Sequence, residues 1–275
     1  MIPKDFITAW RVHAPWDVNA QVEQDLVISR ALVEIFRVPE LADGLLFRGG
    51  TALYKLYFTP AARYSEDMDL VQARPEPIGN TLDCARSVLD PWLGTPKRQL
   101  KEGRVNLTYR FYSEDSPPLK LRLKIEINTR EHFHHLGKVT MPFAVESEWY
   151  RGNAAIPTFA LDELLGTKLR ALYQRKKGRD LFDLWHALAS SQAPATSSII
   201  SCFQRYMAEG GHSVSRAQFE ANLAAKRTLH VFREDIEPLL RPGIDWDFDA
   251  AMDLVQKRIV AELPGDPWKG ETNSP

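Results

Sequence analysis

Cysteine is almost missing from this chain. Only Cys84 and Cys202 occur in 275 residues, far apart and without metal-ligand spacing. That argues against a disulfide framework and fits a reducing compartment. No apolar run approaches the roughly 20 residues needed to span a bilayer. The start, Met1-Ile2-Pro3-Lys4-Asp5, carries an acid early and has no apolar signal core, so no secretory leader is expected. Excess charge is missing too, with 35 Lys and Arg against 36 Asp and Glu. The whole molecule is therefore no electrostatic magnet for nucleic acid, which leaves room only for a local basic patch. The chain has no G-x-x-x-x-G-K-[ST] loop, no G-x-S-x-G elbow, no H-E-x-x-H helix and no internal repeat. His132-Phe133-His134-His135 lacks a second cluster at zinc spacing and reads as a loop. These absences predict a soluble, cytoplasmic protein with no membrane segment.

What is present is ordinary globular material: an apolar share of 44%, with length for one large core or two modest ones. Residues 20–37 carry Val22, Leu26, Ile28, Leu32, Val33, Ile35 and Phe36 at mostly helical spacing, and Pro39 ends that helix. Leu45 to Arg48 reads as a short buried strand. Gly49-Gly50 follows, then a short helix from Thr51 to about Phe58, broken by Thr59-Pro60. Glu66 to Val71 is a second strand, residues 78–94 a helix, and Arg104 to Tyr112 a third strand. Leu119 to Asn128 alternates most cleanly, with Leu121, Leu123, Ile125 and Ile127 on one face and Arg122, Lys124, Glu126 and Asn128 on the other. The pattern predicts a mixed sheet with helices on one or both sides over residues 1–155. Helices follow over 156–263, with loops near Ser190–Ser198, Gly210-Gly211 and Arg241-Pro242-Gly243. The turn-rich segment 264–275 is expected to be disordered.

Chemistry concentrates in the second strand. Side chains at i and i+2 share a strand face, so Asp67 and Asp69 sit side by side with Met68 turned into the core. Two carboxylates that close repel unless a cation neutralises them, and hard oxygen ligands of this kind suit Mg²⁺. Gly49-Gly50, opening a helix, offers backbone N–H groups to an anionic phosphate. A phosphate cradle next to a metal-binding acid pair points to phosphoryl or nucleotidyl transfer. A solvated edge with scattered acids, a plain tight turn and an N-cap role for Thr51 remain the simpler alternatives. Glu126, on the polar face of its strand, would complete a three-carboxylate site if that strand adjoins Asp67; otherwise it is an ordinary half-exposed acid.

A third cluster lies further on. Leu161, Leu164, Leu165, Leu169 and Leu172 form an apolar helical stripe, and Lys168 falls inside it. A lysine there must either snorkel to solvent or meet an anion. Asp180, on the inward edge of the next helix, is either a first-turn acid or that anion. Arg170, Arg175, Lys176, Lys177 and Arg179 make a basic cluster suited to steering a polyanion, or simply a solvated helix end.

Four blocks taken in order resemble the AbiEii-type nucleotidyltransferase toxin family: Phe47-Arg48-Gly49-Gly50-Thr51-Ala52-Leu53-Tyr54-Lys55, Arg63-Tyr64-Ser65-Glu66-Asp67-Met68-Asp69-Leu70, Lys124-Ile125-Glu126-Ile127, and the stretch from Lys168 to Asp183. The match in order and spacing covers about residues 20 to 190. The resemblance implies an α+β fold, a polymerase-beta-like nucleotidyltransferase core with a mixed sheet followed by a helical C-terminal domain. It also implies a toxin of a toxin–antitoxin or phage-defence system, partnered by an antitoxin, that moves nucleotides from an NTP to RNA, the acceptor end of tRNA in some members. By the same match Asp67 and Asp69 are metal ligands for Mg²⁺ or Mn²⁺, with Glu126 as a third acid. Gly49, Gly50, Thr51, Ser65 and Lys55 lie on the nucleotide side, and Lys168 and Asp180 are the later essential pair. A transferase acting on a small molecule or protein, a kinase-like enzyme and a non-catalytic binding module are the rival readings.

Overall fold

The computed structural model describes residues 2–190 and 194–270. These fall into two compact units, one running to Phe159 and including Arg241–Gly243, the other holding Ala160–Leu240 and the described residues from Ile244 onward.

The first unit is built on a seven-stranded sheet. Its helices are α1 (Lys4–Trp10), α2 (Asn19–Phe36), α3 (Pro39–Gly44), α4 (Gly49–Ala52) and α5 (Gly79–Leu93). Its strands are β1 (Leu45–Arg48), β2 (Asp67–Gln72), β3 (Lys97–Lys101), β4 (Arg104–Tyr112), β5 (Lys120–Asn128), β6 (Lys138–Glu146) and β7 (Arg151–Phe159). The order across the sheet is β3-β4-β5-β2-β1-β7-β6. β2 runs parallel to β5, and β1 parallel to β7, while the remaining neighbours are antiparallel. The sheet is therefore mixed. Leu107, Tyr109, Leu123, Ile125 and Ile127 form its buried face, and the Tyr109 hydroxyl donates to Asp90 of α5 at 2.8 Å. Helix α2 buries Leu26, Ile28 and Leu32 as its periodicity predicts, yet it also buries Glu23, Gln24, Asp25 and Ser29. Those polar groups are largely matched: Gln24 donates to the Arg122 carbonyl at 2.7 Å, and the Trp10 indole donates to Asp25 at 2.9 Å.

Three strands escape the sequence pattern. β3 has every residue exposed, so it carries no apolar alternation. β6 holds Pro142 and β7 holds Pro157, each opposite the other strand; proline removes a ladder donor and makes such runs read as loops. The helix expected from Thr51 begins instead at Gly49 and continues as a π-helical turn over Leu53–Tyr57. Thr51 therefore lies inside the first turn and is not an N-cap.

The second unit is helical. It comprises α6 (Leu161–Gln174), α7 (Gly178–Ala189), α8 (Thr196–Glu209), α9 (Arg216–Arg227), α10 (His230–Arg233) and α11 (Phe248–Arg258). Helix α6 buries Leu164, Leu165, Leu169 and Leu172, and α7 buries Leu181, Phe182, Leu184 and Leu188. The start of the predicted disordered tail is tied to α9: the Arg216 amide donates to the Pro264 carbonyl at 2.8 Å, and the Trp268 amide donates to Glu220 at 2.7 Å. Backbone bonding, which composition does not encode, overrides the turn-rich signal up to Trp268. Residues 271–275 lie outside the described residues. Among the described residues no helix is long and apolar enough to cross a membrane.

Candidate active site

The carboxylate strand and the glycine turn meet because β1 and β2 are antiparallel neighbours. Arg48 sits opposite Asp69 in the ladder, so the chain leaving β1 turns at Gly49 directly against the acids. Gly49 has φ of 83°, a backbone conformation that side chains disfavour. A Cβ there would stand 2.2 Å from Asp69 Oδ2, which shows how closely the acid abuts the turn. At Gly50 a Cβ would come within 2.4 Å of Arg63 Nη2 and 3.0 Å of Ser65 Oγ. Glycine at both positions lets carboxylate, guanidinium and hydroxyl converge on one bend.

Thr51 stitches the turn to the strand. Its hydroxyl donates to the Asp67 carbonyl and lies 2.9 Å from Ser65 Oγ. Lys55 is drawn to α2, with Nζ 2.6 Å from Asp25 Oδ1 and 2.9 Å from Ser29 Oγ. Beside the turn lies a cleft of about 140 Å³ whose walls include Thr51, Lys55, Arg63, Ser65, Trp10 and Trp16. The indole N–H of Trp16 is buried without a partner.

Glu126 joins the acids through the parallel pairing of β2 with β5. The register sets Asp67 opposite Lys124 and Asp69 opposite Glu126, so all four side chains rise from one face. The Lys124 ammonium stands among them, 3.1 Å from Glu126 Oε2 and 3.5 Å from Asp67 Oδ2. Burial pulls the Lys124 pKa down, but Asp67, Glu126 and Asp69 together hold it above its ordinary value. Burial likewise raises the Asp67 carboxyl above its ordinary value, with Lys124 opposing and Glu66 assisting.

As the side chains stand, no three His, Cys, Asp or Glu groups among the described residues are gathered to hold a metal. The acid pair itself fits one. Asp67 Oδ1 is buried with no hydrogen-bond partner, a costly state for a carboxylate oxygen unless a cation meets it. Glu126 fits less well in this arrangement, because Lys124 and Arg104, the latter 3.6 Å away, already attend its two oxygens.

Lys168 and Asp180 belong to the helical unit. Lys168 Nζ lies 3.3 Å from Asp180 Oδ1 and 2.8 Å from Asp183 Oδ2, and both acids are fully buried. Arg175 grips Asp180 with two hydrogen bonds, at 2.6 and 2.8 Å. The lysine in the apolar stripe thus meets two anions. The basic cluster around it is mostly neutralised within its own unit. Lys177 and Arg179 both reach Asp235, at 3.1 and 2.9 Å. Burial pushes the Asp235 carboxyl up, but these cations outweigh it and bring its pKa to about 2. Arg170 lies over the Tyr206 ring, 4.9 Å from its centroid. A cluster spent on internal pairs has little charge left for a polyanion.

Sequence reasoning missed two cations near the acids. Arg63 is 1% exposed, packs 5.0 Å from the centroid of the Tyr54 ring and donates to the Tyr64 carbonyl. Its position two residues before Ser65 was the available signal. Lys124 was visible on the polar face of β5, but its place among the acids depends on a long-range pairing. The histidine stretch lies between β5 and β6, and His132 Nδ1 is 2.9 Å from the Gln72 carbonyl.

The profile of a family described as nucleotidyl transferase AbiEii toxin, type IV TA system, matches residues 30–254. Among solved structures the chain is similar to MenT4, the nucleotidyltransferase toxin Rv2826c from Mycobacterium tuberculosis H37Rv. That match has 18% identity and a TM-score of 0.68, covering 97% of this chain and 92% of that one. Identity this low speaks for the fold alone, a mixed sheet with helices as in a nucleotidyltransferase toxin. An antigenic nucleotidyltransferase-like protein from Paracoccidioides brasiliensis aligns at 16% identity over 74% of this chain and 89% of that one. Its TM-score of 0.40 is too low to bear on the fold. No curated protein sequence matches the chain.

Proposed function

This chain belongs to the AbiEii nucleotidyltransferase toxin family of type IV toxin–antitoxin systems, and from that premise we propose that it transfers a nucleoside monophosphate from an NTP to an RNA hydroxyl. The acceptor in this reading is the end of a tRNA, the compartment is the cytoplasm, and a cognate antitoxin holds the activity in check, as in phage defence. The observation that carries the reading is the unpartnered, buried Asp67 Oδ1 beside an Asp69 pressed against Gly49.

Asp67 and Asp69 would hold a divalent cation, Mg²⁺ or Mn²⁺, with Glu126 available as a third acid once Lys124 moves aside. When bound, such a cation neutralises triphosphate charge and polarises the reacting phosphoryl group. The backbone N–H groups of the Gly49–Thr51 turn have no intrahelical partners. Together with Ser65 they hold the outer phosphates, while Arg63, behind Gly50, adds fixed positive charge. The cleft lined by Trp10, Trp16 and Lys55 takes the rest of the nucleotide. In the reaction the RNA hydroxyl oxygen bonds to the α-phosphorus and loses its proton to water, the α–β phosphoanhydride breaks, and pyrophosphate leaves. Lys124, released from Glu126, would be a cation able to follow the developing negative charge. In this proposal Lys168 would offset negative charge and Asp180 would orient Lys168 or assist the nucleophile, and variants in the helical unit test both.

The test supplies purified protein and total cellular RNA with each labelled NTP in turn. Wild type is expected to label RNA with at least one nucleotide. Asp67→Asn and Asp69→Asn are expected to lose at least about 100-fold in rate, the scale of several kcal/mol of charge stabilisation. Full transfer by either variant removes the assignment. Label appearing in a small molecule or a protein instead moves the reading to the rival transferases, and absence of any label favours a binding module.

A further inference from the structure

The sheet face that bears the acids also bears a set of unpaired cations, with Arg110 and Lys120 toward one end of β4 and β5 and Lys97 and Lys101 on the neighbouring edge strand β3. The registers put Lys97 beside Thr108, Lys101 beside Arg104, Arg110 beside Arg122 and Tyr112 beside Lys120. All of these share the face of Asp67, Asp69 and Glu126, opposite the buried Leu107, Tyr109, Leu123 and Ile125. Along β5 the face reads Lys120, Arg122, Lys124, Glu126, so it is cationic at one end and acidic at the other. Arg122 lies about 13 Å and Lys120 about 20 Å from Glu126 at strand rise.

Among the described residues Lys97, Lys101, Arg110 and Lys120 form no ion pair, and all four are exposed. Arg122 has one acid, Glu66 at 3.4 Å, in an open pair with side-chain exposures of 55% and 41%. Such a pair is worth little and exchanges readily. At the far ends of β4 and β5 the strands border a groove of about 470 Å³ lined by Arg110, Phe111, Tyr112, Lys120, Leu121 and Arg122, with no acid among them. Tyr112 is 60% exposed. In a chain whose net charge is −1, unpaired cations gathered on one strip mark where a polyanion docks. An exposed aromatic flanked by cations is the pattern of a base-stacking platform.

We propose that this strip seats the acceptor RNA. A single-stranded segment would run over β3–β5 with its phosphates on Lys97, Lys101, Arg110, Lys120 and Arg122, one base stacked on Tyr112, and its reactive end at the acids. The proposal rests on the nucleotidyl-transfer reading and supplies its acceptor surface. Along β5 the track meets the acid site at Lys124.

The experiment measures fluorescence anisotropy of an end-labelled single-stranded RNA with the full chain across a salt series. Wild type is expected to bind with an affinity that falls as salt rises. R110E/K120E is expected to weaken binding at least tenfold and to flatten the slope of log affinity against log salt by about 1.4, two phosphate contacts at about 0.7 each. Tyr112→Ala is expected to weaken binding by roughly fivefold or more without changing that slope. The control K257Q/R258Q, at the end of α11, is expected to change nothing, and thermal melts check that each variant is folded. In transfer assays R110E/K120E raises KM for RNA and leaves kcat unchanged. Equal RNA affinity of R110E/K120E and wild type overturns the proposal, as does failure of wild type to bind RNA. Loss of an acidic protein partner with RNA binding intact reassigns the strip to that partner and also overturns it. RNA binding that fails in the variant while no label is ever transferred leaves the surface standing and removes the transferase reading. Labelled RNA with variant-insensitive binding does the reverse.

Discussion

The two units each bury charge, and they do it in opposite ways. In the helical unit Asp180 receives Arg175 twice and Lys168 once, and Asp183 receives Lys168 at 2.8 Å, so the acids are surrounded by donors. On the sheet Asp67 keeps one buried oxygen without a partner, and the nearest cation stands 3.5 Å from the other. Saturated charge of the first kind holds helices α6 and α7 in one arrangement. Unsaturated charge of the second kind is strain that a ligand relieves, and it occurs where backbone, hydroxyl and guanidinium donors crowd a glycine bend. Buried acids alone therefore do not identify a site; an unmet oxygen beside a donor-rich glycine bend does.

The contrast breaks most sharply under paired substitution. Lys168→Met takes a cation away from the buried Asp180 and Asp183, and is expected to destabilise the fold by about 3–5 kcal/mol. Asp67→Asn removes a charge that burial already disfavours, and Lys124 keeps Glu126 at 3.1 Å. Its stability is expected to stay within about 1 kcal/mol of wild type while transfer collapses. Urea unfolding of both variants checks this. A Lys168→Met protein as stable as wild type but without transfer would show that the lysine serves chemistry more than the fold, as the family resemblance implies.

A smaller effect sharpens the same comparison at the turn. Gly49→Ala forces a side chain into a φ of 83° and toward Asp69 Oδ2. We expect a loss of about 1–3 kcal/mol in stability and a fall in transfer larger than this implies, because Asp69 must shift. Thermal melts beside transfer rates separate the two contributions. Equal activity would mean that the close approach of acid and turn has no part in catalysis.

Much of this was legible in the sequence, for a local reason. β1 is bounded at Leu45 and Arg48 as its apolar run suggests. The shared face of Asp67 and Asp69 follows from period two alone. An inward lysine at 168 had either to snorkel to solvent or to meet an anion. What the sequence hid was long-range. That Glu126 aligns with Asp69 depends on β5 docking parallel to β2 across an intervening helix and two strands, and no local pattern encodes it. The contact of Asp183 with Lys168 spans fifteen positions and two helices, so no local pattern announces it. β6 and β7 hid behind their prolines, and the hold of α9 on Pro264 and Trp268 runs through backbone atoms that composition does not see.

The smallest expected effect concerns a third buried acid, neither saturated nor placed at the turn. Glu23 is 1% exposed, and among the described residues its Oε1 has no partner while its Oε2 accepts from the Glu114 amide at 2.9 Å. Burial raises its pKa from 4.5 to about 7 against an opposing positive charge, with a smaller push from Asp115. Between those values the folded chain binds a proton that the unfolded chain has released, so stability falls as pH rises through this window and levels off above it. Glu23→Gln keeps an acceptor for the Glu114 amide and removes the titration. The variant is expected to match wild type near pH 4.5 and to exceed it at pH 8 by on the order of 1 kcal/mol. Melting curves of the two proteins at pH 5 and pH 8 read the difference directly, other titrating groups being common to both. Parallel profiles would place Glu23 with the saturated acids of the helical unit and show that an unmet carboxylate oxygen away from the glycine bend is supplied by solvent.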